Sequence, residues 1–385
     1  LIVFLLTFFL VYGTVHAYAF WKAKAAFSLY LPNSLPLILF MLLMVAAPVL
    51  VRLLERGGHD LAARGMAYVG YFWMGGLFLF FSAALAFDFL RLLLSIVALL
   101  LQRDLSVLFP SVRVIFFVPL SLSLVITLYG VFEARDIRTE KVTVLNAKIP
   151  ESAGTIRVVQ ISDVHLGLLL REKRLKRILD TVKAARPDLL VSTGDLVDGQ
   201  MDNLSGLAEM FREVRPKYGK YAVTGNHEYY AGLDHSLRFL EEAGFTLLRN
   251  EGRVIGGRFN LAGVNDPTGK EMGLEKGRGD GELFSSLDRR RFTLLLKHRP
   301  LLSNESAGLF DLQLSGHVHK GQIFPFEMVT RLFYPFPVGK LLNRADSALY
   351  VSRGTGTWGP PIRFLAPPEI TLIELRHVPP EFNRD

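Results

Sequence analysis

Apolar residues run almost without interruption through residues 1–20, 35–54, 66–101 and 112–131, and then the pattern changes. About 20 such residues are enough for a helix to cross the hydrocarbon core of a bilayer. Four membrane-spanning helices are therefore expected in the first third of the chain. Lys22 and Lys24 mark the loop after the first run, Arg52, Glu55, Arg56 and Gly57-Gly58 close the second, and Glu133-Ala134-Arg135 ends the fourth. The first run lacks a basic leader and is followed by further apolar runs, so it reads as a span rather than a cleaved signal peptide. Since the chain begins at Leu1 without a Met, sequence before it is expected. The third run is longer than one span needs. Asp88 and Arg91 lie inside it at i,i+3 spacing, on one helical face. The favoured expectation puts them near a membrane surface, where the Arg can snorkel; the alternative is a buried polar pair with a function.

Beyond a linker at 138–154, short apolar runs alternate with charged helical stretches, the pattern of an αβ domain. Residues 157–161 form a strand that ends in Ser162-Asp163-Val164-His165. A basic helix follows at 171–186, with Lys173, Arg174, Lys176 and Arg177 expected on its solvated or membrane-facing surface. The next strand, 188–193, ends in Gly194-Asp195-Leu196-Val197-Asp198-Gly199, and a third, 218–224, ends in Gly225-Asn226-His227-Glu228. After a helix at 232–243 and short strands across 245–264 comes Asn265-Asp266, where the Asp is expected to cap a turn. Residues 269–281 read as a loop. Strands at 292–297 and 311–315 present His298 and Gly316-His317-Val318-His319. Strands near 349–352 and 369–375 flank 354–363, a stretch able to line a pocket.

Composition narrows the chemistry. Cys is absent, so disulfides and thiolate metal sites are excluded. A formal net charge of +8 fits anionic lipid surfaces or phosphorylated substrates, and nothing in the chain calls for nucleic acid. Three of only nine His residues stand at two strand ends, which is hard to reconcile with core histidines. Collected, the strand ends offer Asp163, His165, Asp195, Asn226, His298, His317 and His319, oxygen and nitrogen donors without sulfur. That is too many for one four-coordinate ion and suits two. Imidazole with carboxylate favours Mn, Fe or Zn over Ca or Mg. A pair of ions needs a bridging carboxylate, for which Asp195 is the candidate, and can hold a bridging hydroxide as nucleophile.

The ordered set Asp163-x-His165, Gly194-Asp195-x-x-Asp198, Gly225-Asn226-His227-Glu228, His298 and Gly316-His317-x-His319 resembles the calcineurin-like metallophosphoesterases. The resemblance covers most of the chain after Thr155. It implies an α/β metallophosphoesterase fold, a double-layered β-sandwich flanked by helices, and hydrolysis of phosphoric esters. It further implies that Asp163, His165 and His319 hold the first metal, Asn226, His298 and His317 the second, and Asp195 both. His227 would protonate the leaving oxygen or stabilise the transition state, with Asp198 orienting its ring. Ser162 stands where many members have Gly. Lys320 stands where related proteins often have Gly, and is expected to add a cation near the site.

Taken with the apolar runs and Tyr129-Gly130-Val131-Phe132-Glu133-Ala134, the chain resembles the bacterial transmembrane metallophosphoesterases. Some of that group hydrolyse lipid-linked substrates, including the pyrophosphate of UDP-2,3-diacylglucosamine. The resulting expectation is a multi-pass transmembrane domain at 1–131, a linker at 132–154 and a phosphoesterase domain at 155–385. The chain is then a membrane-anchored, two-metal phosphoesterase acting on phosphorylated, lipid-linked substrates. Alternatives are a broad phosphodiesterase of soluble substrates that uses its spans only as an anchor, and a non-catalytic sensor or transporter module. The distribution of Lys and Arg around four spans leans toward a cytoplasmic carboxyl-terminal domain. Oligomeric state is not legible.

Overall fold

A computed structural model of the chain describes all residues except 1, 200–203, 205, 276–279, 303–305, 307, 345–346 and 380–385, so part of the expected loop at 269–281 lies outside the described residues. The chain separates into two compact units: Leu1–Phe132 with Gly359–Ile362, and Glu133–Trp358 with Arg363–Asp385.

The helical unit contains α1 (Ile2–Phe27), α2 (Leu31–Arg56), α3 (Asp60–Leu101) and α4 (Val112–Glu133). Among the described residues, three of these, α2, α3 and α4, are long and apolar enough to cross a membrane. Leu10, Leu42, Leu99 and Val125 point outward, whereas Tyr12, Ala19, Ala23, Met41, Leu77, Phe80, Ala84 and Phe116 pack together inside. Small residues let the helices close up. A Cβ on Gly70 of α3 would stand 2.7 Å from the Ala47 Cβ of α2, nearer than side chains approach. The 42 residues of α3 would span ~63 Å at ~1.5 Å per residue, about twice a ~30 Å hydrocarbon core. Asp88 takes its partners from α1: Lys22 Nζ lies 2.5 Å from one carboxylate oxygen and the Tyr18 hydroxyl donates to the other at 2.6 Å. The i,i+3 neighbour Arg91 is exposed. Elsewhere in the unit, the Trp73 indole donates to His16 Nε2 at 2.9 Å and His16 Nδ1 reaches the Tyr12 carbonyl at 2.8 Å.

The second unit begins with β1 (Arg138–Leu145), β2 (Ile156–Ile161), α5 (Glu172–Ala184), β3 (Leu189–Ser192), α6 (Leu207–Arg212) and β4 (Lys220–Ala222). It continues with α7 (Asn226–Tyr230), α8 (Leu233–Glu242), β5 (Thr246–Leu247), β6 (Glu251–Ile255), β7 (Phe259–Val264), α9 (Thr268–Glu271) and α10 (Asp280–Ser285). The last elements are β8 (Thr293–Lys297), β9 (Leu312–Ser315), α11 (Glu327–Phe333), β10 (Leu341–Asn343), β11 (Ala348–Val351) and β12 (Glu369–Arg376).

Two six-stranded sheets result, ordered β1-β12-β2-β3-β4-β5 and β10-β11-β9-β8-β7-β6. Val158, Leu189 and Val191 of the first pack against Leu261, Leu294 and Leu314 of the second, forming the expected two-layer sandwich core. The other face of the first sheet is covered by Leu175, Ile178 and Val182 of α5, Phe211 of α6 and Leu240 of α8. Central strands such as β3 are buried along their whole length, which is why their sequences are continuously apolar instead of alternating. Residues 138–145, read from sequence as linker, instead form β1, which pairs in parallel with β12 at the sheet edge. Its polar Thr139, Glu140, Lys141 and Thr143 hide the strand signal, because an edge strand with a largely exposed face needs few apolar positions. Strands β2, β3 and β4 are mutually parallel, as are β7, β8 and β9, so the carboxyl ends within each set share one edge. Every donor singled out in the sequence follows one of these ends.

Candidate metal centre

The polypeptide turns sharply as it leaves each strand. Asp163, His165, Asp195, His317 and His319 all adopt left-handed backbone, with φ of 52°, 53°, 52°, 73° and 47°. Asp and His tolerate this region better than most residues, yet such positions remain strained and cluster at functional sites. The motif glycines provide space. A Cβ on Gly225 would run into Asp195 Oδ1, and one on Gly316 would run into Ser162 Oγ and Asp163 Oδ2.

Three overlapping groups of donor atoms converge: Asp163, His165 and His319; His165, Asp195 and His227; and Asp195, His298 and His317. His319 Nε2 lies 3.1 Å from His165 Nε2 and 3.4 Å from Asp163 Oδ1. His298 Nε2 lies 3.1 Å from His317 Nδ1, 3.2 Å from Asn226 Oδ1 and 3.2 Å from Asp195 Oδ2. The sequence-predicted donors are thus brought together, all seven of them.

The donor chemistry fits cations. Ring nitrogens that face one another at hydrogen-bond distance can share at most one proton per pair, and the buried His165 Nδ1 finds no hydrogen-bond partner among the described residues. Two buried carboxylates, Asp163 and Asp195, stand among these lone pairs. Burial drives the His165 imidazole down to about 4 and His317 to about 3, and pushes His319 well below its ordinary value; neighbouring imidazoles add to each shift. These rings are neutral near pH 7, the form that offers a lone pair to a metal. Burial raises Asp163 to about 6, with the Asp195 charge adding to the rise and His298 opposing it. Burial would raise Asp195 too, but His298 and His227 hold it well below the usual range.

Orientation of each ring is set from outside the cluster. His298 Nδ1 donates to the Thr193 carbonyl at 2.8 Å, which turns Nε2 toward the donors. His227 donates from Nδ1 to Asp198 at 2.8 Å, and its backbone N–H donates to Asp195 Oδ1 at 2.8 Å. Burial opposes the His227 charge, but Asp195 and Asp198 outweigh it and raise the ring to about 9. The shift favours the protonated ring, with Nδ1 held by Asp198. The Trp358 ring stands 5.7 Å from it, so the stretch 354–363 does contribute to the site, at this residue.

Several supporting groups were given no role by the sequence. Glu228, fully buried, accepts backbone N–H bonds from Asp195 (2.9 Å), Leu196 (2.8 Å), Val197 (3.3 Å) and Gly225 (2.6 Å), tying the β3 and β4 turns together. Burial and the Asp195 charge raise it to about 7. The fourth residue of Gly-Asn-His-Glu was the signal available. Arg363, also fully buried, donates to the carbonyls of Arg353, Gly356 and Ala366 and fixes the loop beneath His319. Asp266 caps the following turn through Thr268 N–H, as expected, and also takes Arg299 in a two-pronged pair at 2.9 and 3.0 Å. Ser162 donates its hydroxyl to Asp163 Oδ2 at 2.5 Å. Lys320 bonds the Leu365 carbonyl at 3.0 Å, so its ammonium is engaged by backbone. Arg174 departs from the solvated or membrane-facing surface expected for it on α5, since it is partly buried and bonds the Ala134 carbonyl.

Buried imidazoles and carboxylates converging at strand ends, with a positioned imidazolium beside them, define a metal-dependent phosphoesterase. The family model described as calcineurin-like phosphoesterase matches residues 156–321. A protein named as an uncharacterized metallophosphoesterase of Aquifex aeolicus is 40% identical over 250 residues, 64% of this chain and 95% of that one. A transmembrane protein with metallophosphoesterase domain from Danio rerio is 31% identical over 272 residues, 67% of this chain and 62% of its own length. Among solved structures, a 5'-nucleotidase precursor from Thermus thermophilus is 16% identical with a TM-score of 0.34, over 58% of this chain and 54% of that one. A likeness of that size bears on neither activity nor substrate. The chain belongs to the calcineurin-like metallophosphoesterase family.

Proposed function

We propose that this protein is a membrane-anchored, two-metal phosphoesterase that cleaves phosphoester or pyrophosphate bonds of lipid-linked substrates such as UDP-2,3-diacylglucosamine. Asp163, His165 and His319 would hold one metal, Asn226, His298 and His317 the other, and Asp195 both. Mn, Fe and Zn suit this donor set. Two such ions, when bound, supply Lewis acidity and a water deprotonated at neutral pH. The chain's own residues do the rest. His227, charged and held by Asp198, donates a proton to the departing oxygen. Glu228 keeps the turns carrying Asp195 and Asn226 at fixed separation, and Trp358 offers a flat apolar wall beside His227. The observation that carries the reading is the convergence of three largely buried donor groups that share Asp195 and His165.

The anchoring part of the proposal counts α1 as a fourth span beside α2, α3 and α4 and places the phosphoesterase unit on the cytoplasmic side. Tethering at a bilayer raises the effective concentration of amphiphilic substrates, which supports a lipid-linked ester over a soluble one. To test both parts, the purified chain is stripped with chelator, and hydrolysis of an aryl phosphodiester and of UDP-2,3-diacylglucosamine is followed as Mn, Fe or Zn is returned. Activity should vanish and return with two metals per chain, and the lipid-linked pyrophosphate should be the faster substrate. Full activity after stripping would overturn the metal assignment. Faster turnover of cyclic nucleotides or phosphoproteins than of any lipid-linked ester would overturn the substrate class.

A further inference from the structure

Between the last His motif and β10 the phosphoesterase unit carries a stretch that breaks the ordinary rule of soluble surfaces. None of the α11 residues is buried, although Met328, Val329, Leu332 and Phe333 are apolar. Met328 is 65%, Leu332 80% and Phe333 72% exposed. On a helix, Met328 and Leu332 stand at i,i+4, as do Val329 and Phe333, so the four make one continuous stripe. Phe324 just before the helix and Leu365 are exposed as well, and the backbone of Phe324 bonds that of Phe364, which carries the apolar surface onto the neighbouring loop. Scattered apolar residues need no explanation, but a contiguous group of this kind marks an interaction site.

The helix is not a frayed end. Immediately after it, Tyr334, Phe336 and Val338 pack against the buried Val318, Leu349 and Val351, and the Tyr334 ring lies 5.2 Å from the ring of His317. The stripe is thus held on a rigid base at the edge of the donor cluster. Lys320 is held by the Leu365 carbonyl and Arg331 pairs with Glu327 on the same helix, while Lys340 and Arg344 are exposed cations of the same segment. Apolar side chains flanked by cations form the pattern of a segment that lies in the headgroup region of an anionic membrane.

We propose that α11 and its flanking residues are a bilayer-docking surface, with Met328, Val329, Leu332 and Phe333 inserted among acyl chains and the nearby cations on anionic headgroups. The occupant is a lipid surface because the same chain carries helices apolar enough to cross one, and because the charge around the stripe complements anionic lipid. The docking rests on the membrane anchoring proposed above and not on which ester is cleaved.

The chain has no Cys, so single labels can be placed cleanly. Leu332→Cys, Leu42→Cys on the outer face of α2, and Asp234→Cys on exposed α8 are each labelled with an environment-sensitive fluorophore. The full chain is reconstituted in phosphatidylcholine vesicles with and without phosphatidylglycerol. The Leu332 label should lose emission to lipids brominated in their acyl chains and resist aqueous iodide, like the Leu42 label and unlike the Asp234 label. Omitting phosphatidylglycerol, or adding Val329→Glu, should weaken the lipid quenching at Leu332 and leave that at Leu42 unchanged. If Leu42 is quenched by lipid and Leu332 is not, docking is overturned while anchoring stands; if neither is quenched, both are overturned. Protection of Leu332 from iodide without lipid quenching, growing with protein concentration, would assign the surface to a second copy and overturn the proposal.

Discussion

In the helical unit, Asp88 accepts from Lys22 and Tyr18, and His16 stands between the Trp73 indole and the Tyr12 carbonyl. In the phosphoesterase unit, His165 faces His319 and His298 faces His317, nitrogen toward nitrogen, with Asp163 and Asp195 beside them. Both units place polar groups away from water. The helical groups meet complementary partners, donor to acceptor and cation to anion, so their cost is met from within. The strand-end groups set ring nitrogens toward one another beside two carboxylates; burial opposes a charge on His298 but Asp195 raises it to about 10, so protons satisfy part of the set and added cations would satisfy the rest. Burial of polar groups is therefore a poor guide to function by itself, and the complementarity of the partners is the better one.

The contrast can be broken most sharply at Asp195, the residue shared by two donor groups. Asp195→Asn is expected to abolish turnover and to lower bound metal below two per chain, as read by elemental analysis; full activity with two metals would remove the distinction. Next in size, His227→Ala should lower kcat by ~10²- to 10⁴-fold while metal content stays intact, because the ring is proposed to act on the substrate and not to hold a metal. Equal loss of metal and rate would make it a ligand instead. Glu228→Gln keeps the shape but trades an acceptor for a donor among four N–H groups. It should weaken metal affinity by roughly 10- to 100-fold and cost about 1–3 kcal/mol in denaturant unfolding. The smallest effect belongs to the helical cluster. Asp88→Asn should leave metal content and aryl ester hydrolysis unchanged and lower stability in detergent by about 1 kcal/mol. A large loss of hydrolysis there would show that the helical cluster is more than structural.

The sequence disclosed the donor set because each donor follows a buried, continuously apolar strand, and that order survives in one dimension. Asp163, Asp195, Asn226, His298 and His317 could all be read this way. Glu228 and Arg363 could not, since their roles depend on carbonyls and N–H groups brought close only by the finished turns. Strand β1 was missed for a different reason: its pairing with β12 joins residues more than two hundred positions apart, and its own pattern is polar. Asp88 was legible as an oddity in an apolar run, but its partner was not, because Lys22 on α1 reaches it in place of Arg91 one turn away.

The left-handed backbone at Asp163, His165, Asp195, His317 and His319 has a consequence for how such a protein changes over generations. Each of these positions costs roughly 1–2 kcal/mol that glycine would not incur. Selection for stability alone would therefore drift toward glycine at the very residues proposed to hold the metals. Their side chains persist only while catalysis is under selection, and a lineage that lost its substrate would lose this ligand set before it lost its fold.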